Sequence, residues 1–266
     1  MEYSLLHRTS AITLAILLFF GMLVFVMLGR LASRAWDKQG DIREPKGGVG
    51  SLLAAMFTLS GFILAFAFGM SGSRLERVRV VVETEANQIG TAVLRADLYQ
   101  DSARRALRRD FKDYIEAIIE FYDKATTPDG LKKAKDDAAK ASASLWAIVT
   151  SQSKQPNMLI PSNSMIASMN GMFDIAQQRE IVLNERVPDL IIYMLFICIF
   201  ASCFIGGFTS GPFHYREWVI IVGFTLISSM VVYTTIDLGR PMRGLIKERA
   251  ARQAIVELRD MFSPNE

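Results

Sequence analysis

Apolar and polar positions along this chain fall into long blocks. Four blocks, at 11–28, 47–73, 190–213 and 218–236, are apolar and carry no charge. Each is long enough to cross a hydrocarbon core as an α-helix, which takes about 20 residues at about 1.5 Å rise per residue. They predict spans at about 11–30, 50–72, 188–210 and 217–237. Four spans put the N-terminus, the long segment between spans two and three, and the C-terminal tail on one side of the bilayer. Past Ser73 a helical period takes over without a break, with Leu75, Val78, Val82, Ala86, Ile89, Val93 and Ala96 as one apolar stripe. Gly90 weakens that helix by about 1 kcal/mol against alanine, which points to a close packing contact there.

A turn at Gln100-Asp101-Ser102 leads to a second helix, whose stripe is Leu107, Phe111, Tyr114, Ile118 and Phe121 or Tyr122. Pro128-Asp129-Gly130 ends that unit, and 132–150 reads as a third, more polar helix with Leu145 and Trp146 as its larger apolar residues. The segment 155–162 reads as a loop, with Ser162 or Asn163 available to cap a fourth helix carrying Ile166, Met169, Phe173 and Ile175 or Ala176. That helix is expected to run on towards span three, since Pro188 is tolerable in a first turn or a membrane helix. No strand alternation, repeat or low-complexity tract appears. The fold class is all-α: a polytopic membrane protein with four transmembrane helices and a cytoplasmic helical bundle continuous with helices two and three. Its expected parts are a first transmembrane hairpin (1–73), the helical domain (74–186), a second hairpin (187–238) and a basic tail (239–266).

Composition narrows the possible partners. The 266 residues are 51% hydrophobic with a mean hydropathy of +0.24, and the 21% of charged residues concentrate in the soluble segment and the tail. Net charge is +3 with basic and acidic residues interleaved, so nothing indicates nucleic acid. Cys198 and Cys203 both lie inside the third span and read as buried apolar residues. Neither they nor His7 and His214 have metal-ligand spacing, and no metal or cofactor is expected. The first block exceeds the usual 7–15-residue core of a signal peptide, so a retained first span is expected. Basic flanks set the orientation. Arg8, Arg74, Arg77, Arg79, Arg179, Arg186, Arg240, Arg243, Lys247, Arg249 and Arg252 lie on the shared side. Arg30, Arg34, Lys38, Arg43, Lys46 and Arg216 lie on the other. The positive-inside rule therefore places 74–186 and both termini in the cytoplasm.

Two stretches are distinctive: Val81-Val82-Glu83-Thr84-Glu85-Ala86-Asn87-Gln88-Ile89-Gly90-Thr91-Ala92-Val93-Leu94-Arg95-Ala96-Asp97-Leu98, and Ser168-Met169-Asn170-Gly171-Met172-Phe173-Asp174 followed by Arg179, Arg186 and Val187-Pro188. Together with the fourth span's exit, Ile236-Asp237-Leu238-Gly239-Arg240-Pro241-Met242-Arg243-Gly244, they resemble the signatures of the bestrophin-like membrane protein family of bacteria and plants. The resemblance covers nearly all of the chain after Leu52. It implies kinship with bestrophins, pentameric anion channels whose second span lines the pore, and residence in a bacterial inner membrane. The run from Phe62 to Arg79 is similar to the aromatic-rich span and arginine-studded exit of bestrophins. The acidic cluster that calcium-responsive bestrophins carry after the fourth span is replaced by a basic stretch, so calcium gating by that device is not implied.

On the channel reading, Phe62 and Phe66 share one helix face, extended by Leu59 and Met70, and form a hydrophobic constriction that gates by dewetting. The same mixture of phenylalanine and small residues also serves helix packing and lipid contact. Arg74, Arg77 and Arg79 would ring a pore mouth with positive potential, or anchor the helix at anionic headgroups, with Glu76, Glu83 and Glu85 close enough to pair with them. Glu85, Asn87, Arg95, Asp97, Asn170, Asp174 and Arg179 form a candidate polar network between two helices entering the soluble domain, chiefly structural, with an ion path or regulatory site as the alternative. Asp237 and Arg240 are expected to pair locally. No paired catalytic carboxylates, phosphate loop or nucleophile elbow is present, so an enzyme is not expected. The tail's helical spacing (Leu245, Ala251, Ala254, Ile255, Leu258, Phe262) suits either the membrane surface or a neighbouring subunit. The expected partners are the bilayer, further copies of the chain (five by the bestrophin resemblance) and inorganic ions. The competing function is a non-conducting scaffold or sensor whose helical domain binds other proteins.

Overall fold

The computed structural model describes residues 9–37, 48–124, 127–185, 187–210, 215–240 and 249–262. Every regular element among them is helical. The chain divides into two compact units, one made of 1–73 and 186–239 and the other of 74–185 and 240–266.

The first unit holds α1 (Ala11–Asp37), the N-terminal part of α2 (Gly48–Ala96), α6 (Asp189–Thr209) and α7 (Tyr215–Leu238). All four helices are long and apolar enough to cross a membrane. Ser10 opens α1, its Oγ accepting the backbone N–H of Thr13 at 3.0 Å in the manner of an N-cap. The core of this unit comes from α1, α6 and α7 through Leu18, Met22, Leu195, Ile199 and Val232, with Phe25 stacked on Phe200 at 4.8 Å between ring centroids. Two glycines bring α1 and α6 together. A Cβ on Gly29 would collide with the Phe204 carbonyl, and one on Gly207 with that of Val26. Small residues let membrane helices approach to backbone contact, where dispersion and Cα–H···O contacts replace the hydrophobic effect. Hydroxyls in the spans turn back on their own helix, as Ser202 to Cys198 O (2.7 Å) and Thr235 to Val231 O (2.9 Å). That satisfies them where no water is at hand.

The second unit holds the rest of α2, then α3 (Asp101–Asp123), α4 (Pro128–Gln152), a 3-10 turn (Pro156–Met158), α5 (Leu159–Asn184), α8 (Arg249–Glu257) and a second 3-10 turn (Leu258–Met261). From Val78 to Ala96 the apolar stripe of α2 is buried as its spacing predicts, with Leu75 half-buried, and Ile89 and Val93 meet Leu107, Phe111, Ile115 and Ile118 of α3 in one core. From α5 come Met165, Met169 and Met172, at helical spacing and fully buried; of these the spacing analysis singled out Met169 alone. Gly90 has the close neighbour its position suggested, since an added Cβ would lie 3.4 Å from Leu258 Cδ2.

Four boundaries differ from expectation. Pro128 starts α4 rather than ending the preceding unit, because a first-turn proline loses no hydrogen bond and is preset in φ. Residues 155–162 are not a loop: α5 begins at Leu159, Pro161 sits in its first turn, and Ser162 is buried, where Tyr99 Oη donates to it at 3.3 Å. The run-on of α5 into the third span is interrupted, since α5 ends at Asn184 and α6 starts at Asp189. Pro188 disfavours helical geometry at the residue before it and becomes the N-cap of α6. Over residues 249–262 the tail packs onto its own unit, where the membrane surface or a neighbouring subunit was expected: Ile255 is fully buried in the core, and Leu258 and Met261 pack with it. Its arginines clamp the helix they cover, Arg252 on Asp123 (2.9 Å through two nitrogens) and Arg259 on Glu116 (2.7 and 2.5 Å). His7, His214, Arg186, Leu245 and the 38–47 segment lie outside the described residues.

Candidate functional site

Helix α2 carries most of the candidate residues. Within its apolar span, Ser60, Ala67 and Ser71 form a buried line at steps of seven and four. Phe62 and Phe66 stand on the opposite face and are 70% and 55% exposed. Leu59 beside them is exposed too. Burial is uneven among the four spans: the most apolar window of α2 is 11% buried within the chain, against 22%, 22% and 28% for the others.

The three arginines at the end of that span have separate fates. Arg74 is buried, and its Nη2 donates to Leu183 O at 3.2 Å, among the last carbonyls of α5, which have no partner within their helix. It therefore serves a helix end. Arg77 is exposed and donates to Glu185 Oε2 at 3.0 Å. Arg79 pairs one turn on with Glu83 at 2.9 Å. Both are thus neutralised by an adjacent carboxylate.

Of the seven residues grouped as a polar network, the structure joins two directly. Arg179 Nη1 of α5 donates to Glu85 Oε1 of α2 at 2.5 Å, with the Glu85 side chain wholly buried and that of Arg179 nearly so. The guanidinium also lies 4.8 Å over the Phe121 ring, a cation–π contact in a dry setting. Burial pushes the Glu85 carboxyl above its ordinary range, offset in part by the Arg179 charge, and burial likewise raises the Tyr114 and Tyr122 phenols nearby. Arg95 makes a different link across the same two helices, donating to Ser164 O and to Ser168 Oγ. Asp97 looks instead to α3, accepting from Arg108 Nη1 at 3.0 Å. Asn87, Asn170 and Asp174 are exposed and take no part in these links.

Spacing missed Arg108, a residue that makes three contacts across the second unit. Arg108 holds Asp97, donates to the Met261 carbonyl and lies 5.5 Å over the Phe262 ring, tying α2, α3 and the C-terminal turn together. The signal available in the sequence, a lone arginine on a helix rich in them, did not distinguish it from Arg104, Arg105 or Arg109. A groove of about 510 Å³ between α3 and α4 is lined by Asp110, Asp113, Glu120, Asp137, Lys140 and Ser144, among others. Among the described residues no group of three His, Cys, Asp or Glu side chains is placed to hold a metal ion.

Four apolar helices, one of them prolonged into a polar helical unit with a buried ion pair, define an all-helical integral membrane protein. The chain belongs to the bestrophin-like family, whose Bestrophin-like domain model matches residues 15–248. Its fold is that of solved bacterial bestrophin homologues from Klebsiella pneumoniae. A tyrosine-to-alanine variant of one is 13% identical with a TM-score of 0.68, covering 91% of this chain and 98% of its own. The structure phased on zinc is 16% identical with a TM-score of 0.65, covering 91% of this chain and 97% of its own. No curated protein matches the sequence.

Proposed function

We propose that this protein is an oligomeric ion channel whose pore is lined by α2 from each subunit. The observation that carries the reading is the uneven burial of the spans, since the most apolar window of α2 is buried to half the extent of its neighbours' or less. A helix that packs so little inside its own subunit is the one free to face an axis shared with other copies. Phe62 and Phe66, on its open face, supply the apolar ring that excludes water and blocks ions without a charge barrier. Membership of the bestrophin-like family and the shared fold support the same reading. By the bestrophin resemblance the assembly is a pentamer, and by the positive-inside rule residues 74–186 and both termini are cytoplasmic, in a bacterial inner membrane.

Arg77 and Arg79 mark the mouth in this scheme, while Arg74 fixes the end of α5. Because Glu185 and Glu83 neutralise the two exposed arginines, the mouth offers little net positive potential, and anion preference is not set there. Purified protein in liposomes loaded with an ion-sensitive dye tests the reading. Flux proportional to incorporated protein is expected; liposomes that stay tight at the same protein density favour the scaffold reading.

A further inference from the structure

In the second unit, the face of α2 opposite its buried stripe carries Val80, Thr84, Asn87, Thr91 and Leu94, at steps of three and four residues, and Leu98 follows in the turn after it. Leu94 and Leu98 are 62% and 54% exposed, yet none of the six positions is charged. The remainder of this unit's surface is dense with ion pairs, among them Arg252–Asp123, Arg259–Glu116 and Lys135–Glu180. A solvated helix face ordinarily carries lysine and glutamate; from Val80 to Leu94 this one does not, and its charged positions, Glu76 and Arg77, lie before that stretch. Near a rotation axis every side chain confronts copies of itself, so a fixed charge there is repelled by its own images, and a neutral face is the composition such an axis selects. Val80, Asn87 and Leu94 also follow Phe66 at whole-heptad spacing along the same helix.

Within the stripe, Thr84 and Thr91 turn their hydroxyls back to Val80 O (2.7 Å) and Asn87 O (2.8 Å), leaving methyl groups outward. Asn87 is exposed and keeps a carboxamide with both a carbonyl acceptor and N–H donors to offer. The flanking charges of Arg79 and Glu83 are closed on each other. Resting on the conducting reading above, we propose that the Asn87 side chains form a neutral ring around the ion path beyond the membrane, where any charge placed at this position governs which ions pass. A carboxamide ring presents oxygen to cations and N–H to anions, so a single charge at this position decides the sign of the preferred ion.

Reversal potentials in planar bilayers under a potassium chloride gradient test this with wild type, Asn87→Asp, Asn87→Lys and Asn87→Ser, oligomer size being checked for each. The expected result is a several-fold change in the potassium-to-chloride permeability ratio, towards potassium in Asn87→Asp and towards chloride in Asn87→Lys, with Asn87→Ser close to wild type. An unchanged ratio in both charged variants, with wild-type conduction intact, overturns the role of Asn87 and leaves the channel reading standing. Loss of assembly in both charged variants but not in Asn87→Ser overturns it as well, because Asn87 is then a packed contact between subunits. A wild-type protein that passes no ion refutes the conducting reading itself, and the ring falls with it.

Discussion

Replacing Arg179 with methionine removes the partner of a carboxylate that has no access to water. Glu85 is 0% and Arg179 5% exposed, so the change strands a buried charge or forces Glu85 to take up a proton. Breaking a buried pair on one side costs about 3–5 kcal/mol. At about 2–4 °C per kcal/mol for a chain of this size, the unfolding midpoint should fall by roughly 6–20 °C. Glu85→Leu combined with Arg179→Met removes both desolvation costs and should recover most of that loss. The sign of the pH dependence follows from Glu85. Burial raises its carboxyl and the Arg179 charge opposes that, so without Arg179 the folded-state value climbs further. A group raised on folding contributes stability below its ordinary range and loses it as pH rises through the raised value. The Arg179→Met deficit should therefore be small in acid and full at neutral and alkaline pH. Thermal unfolding of the full-length protein in detergent micelles across pH reads this directly. A double variant as unstable as the single one, or a deficit independent of pH, would refute the reasoning.

Gly207→Val sets a branched side chain against the Val26 carbonyl and should abolish close packing of α1 on α6, seen as loss of the monodisperse peak in size-exclusion chromatography. Ile255→Ala should destabilise the second unit by about 2–5 kcal/mol and speed amide exchange in α8 and the facing part of α3; unchanged exchange would mean that the tail is not docked in solution. Asp129→Cys should resist a membrane-impermeant thiol reagent added outside intact cells while Gly40→Cys reacts; the reverse pattern would invert the topology.

The spans were legible because about 20 uncharged apolar residues have few fates other than a bilayer, and the soluble stripe of α2 because helical burial repeats at three and four. What escaped the sequence was tertiary. A proline ends one element or begins the next with the same local chemistry, so Pro128 was assigned to the wrong side of a boundary. The tail's apolar spacing suits a membrane surface as well as a protein core, and only the partners of Ile255, Arg252 and Arg259 distinguish them. Glu85 and Asn87 were grouped as one network because both are polar. Two residues apart on a helix they point to nearly opposite faces, one into the core and the other outward. The burial of Arg74 was invisible for the same reason: its neighbour, the end of α5, arrives from a distant part of the chain.

Single-channel recording of the purified oligomer, wild type beside Phe62→Ala/Phe66→Ala, tests the central claim most directly. Two large apolar side chains on the open face of α2 give way to methyl groups, while Ser60, Ala67 and Ser71 on its buried face are untouched. A path narrowed by an apolar ring should widen and wet, so unitary conductance or open probability should rise with oligomer size unchanged. Currents identical to wild type from an intact oligomer would contradict the account, placing Phe62 and Phe66 against lipid or a neighbouring helix instead of the pore.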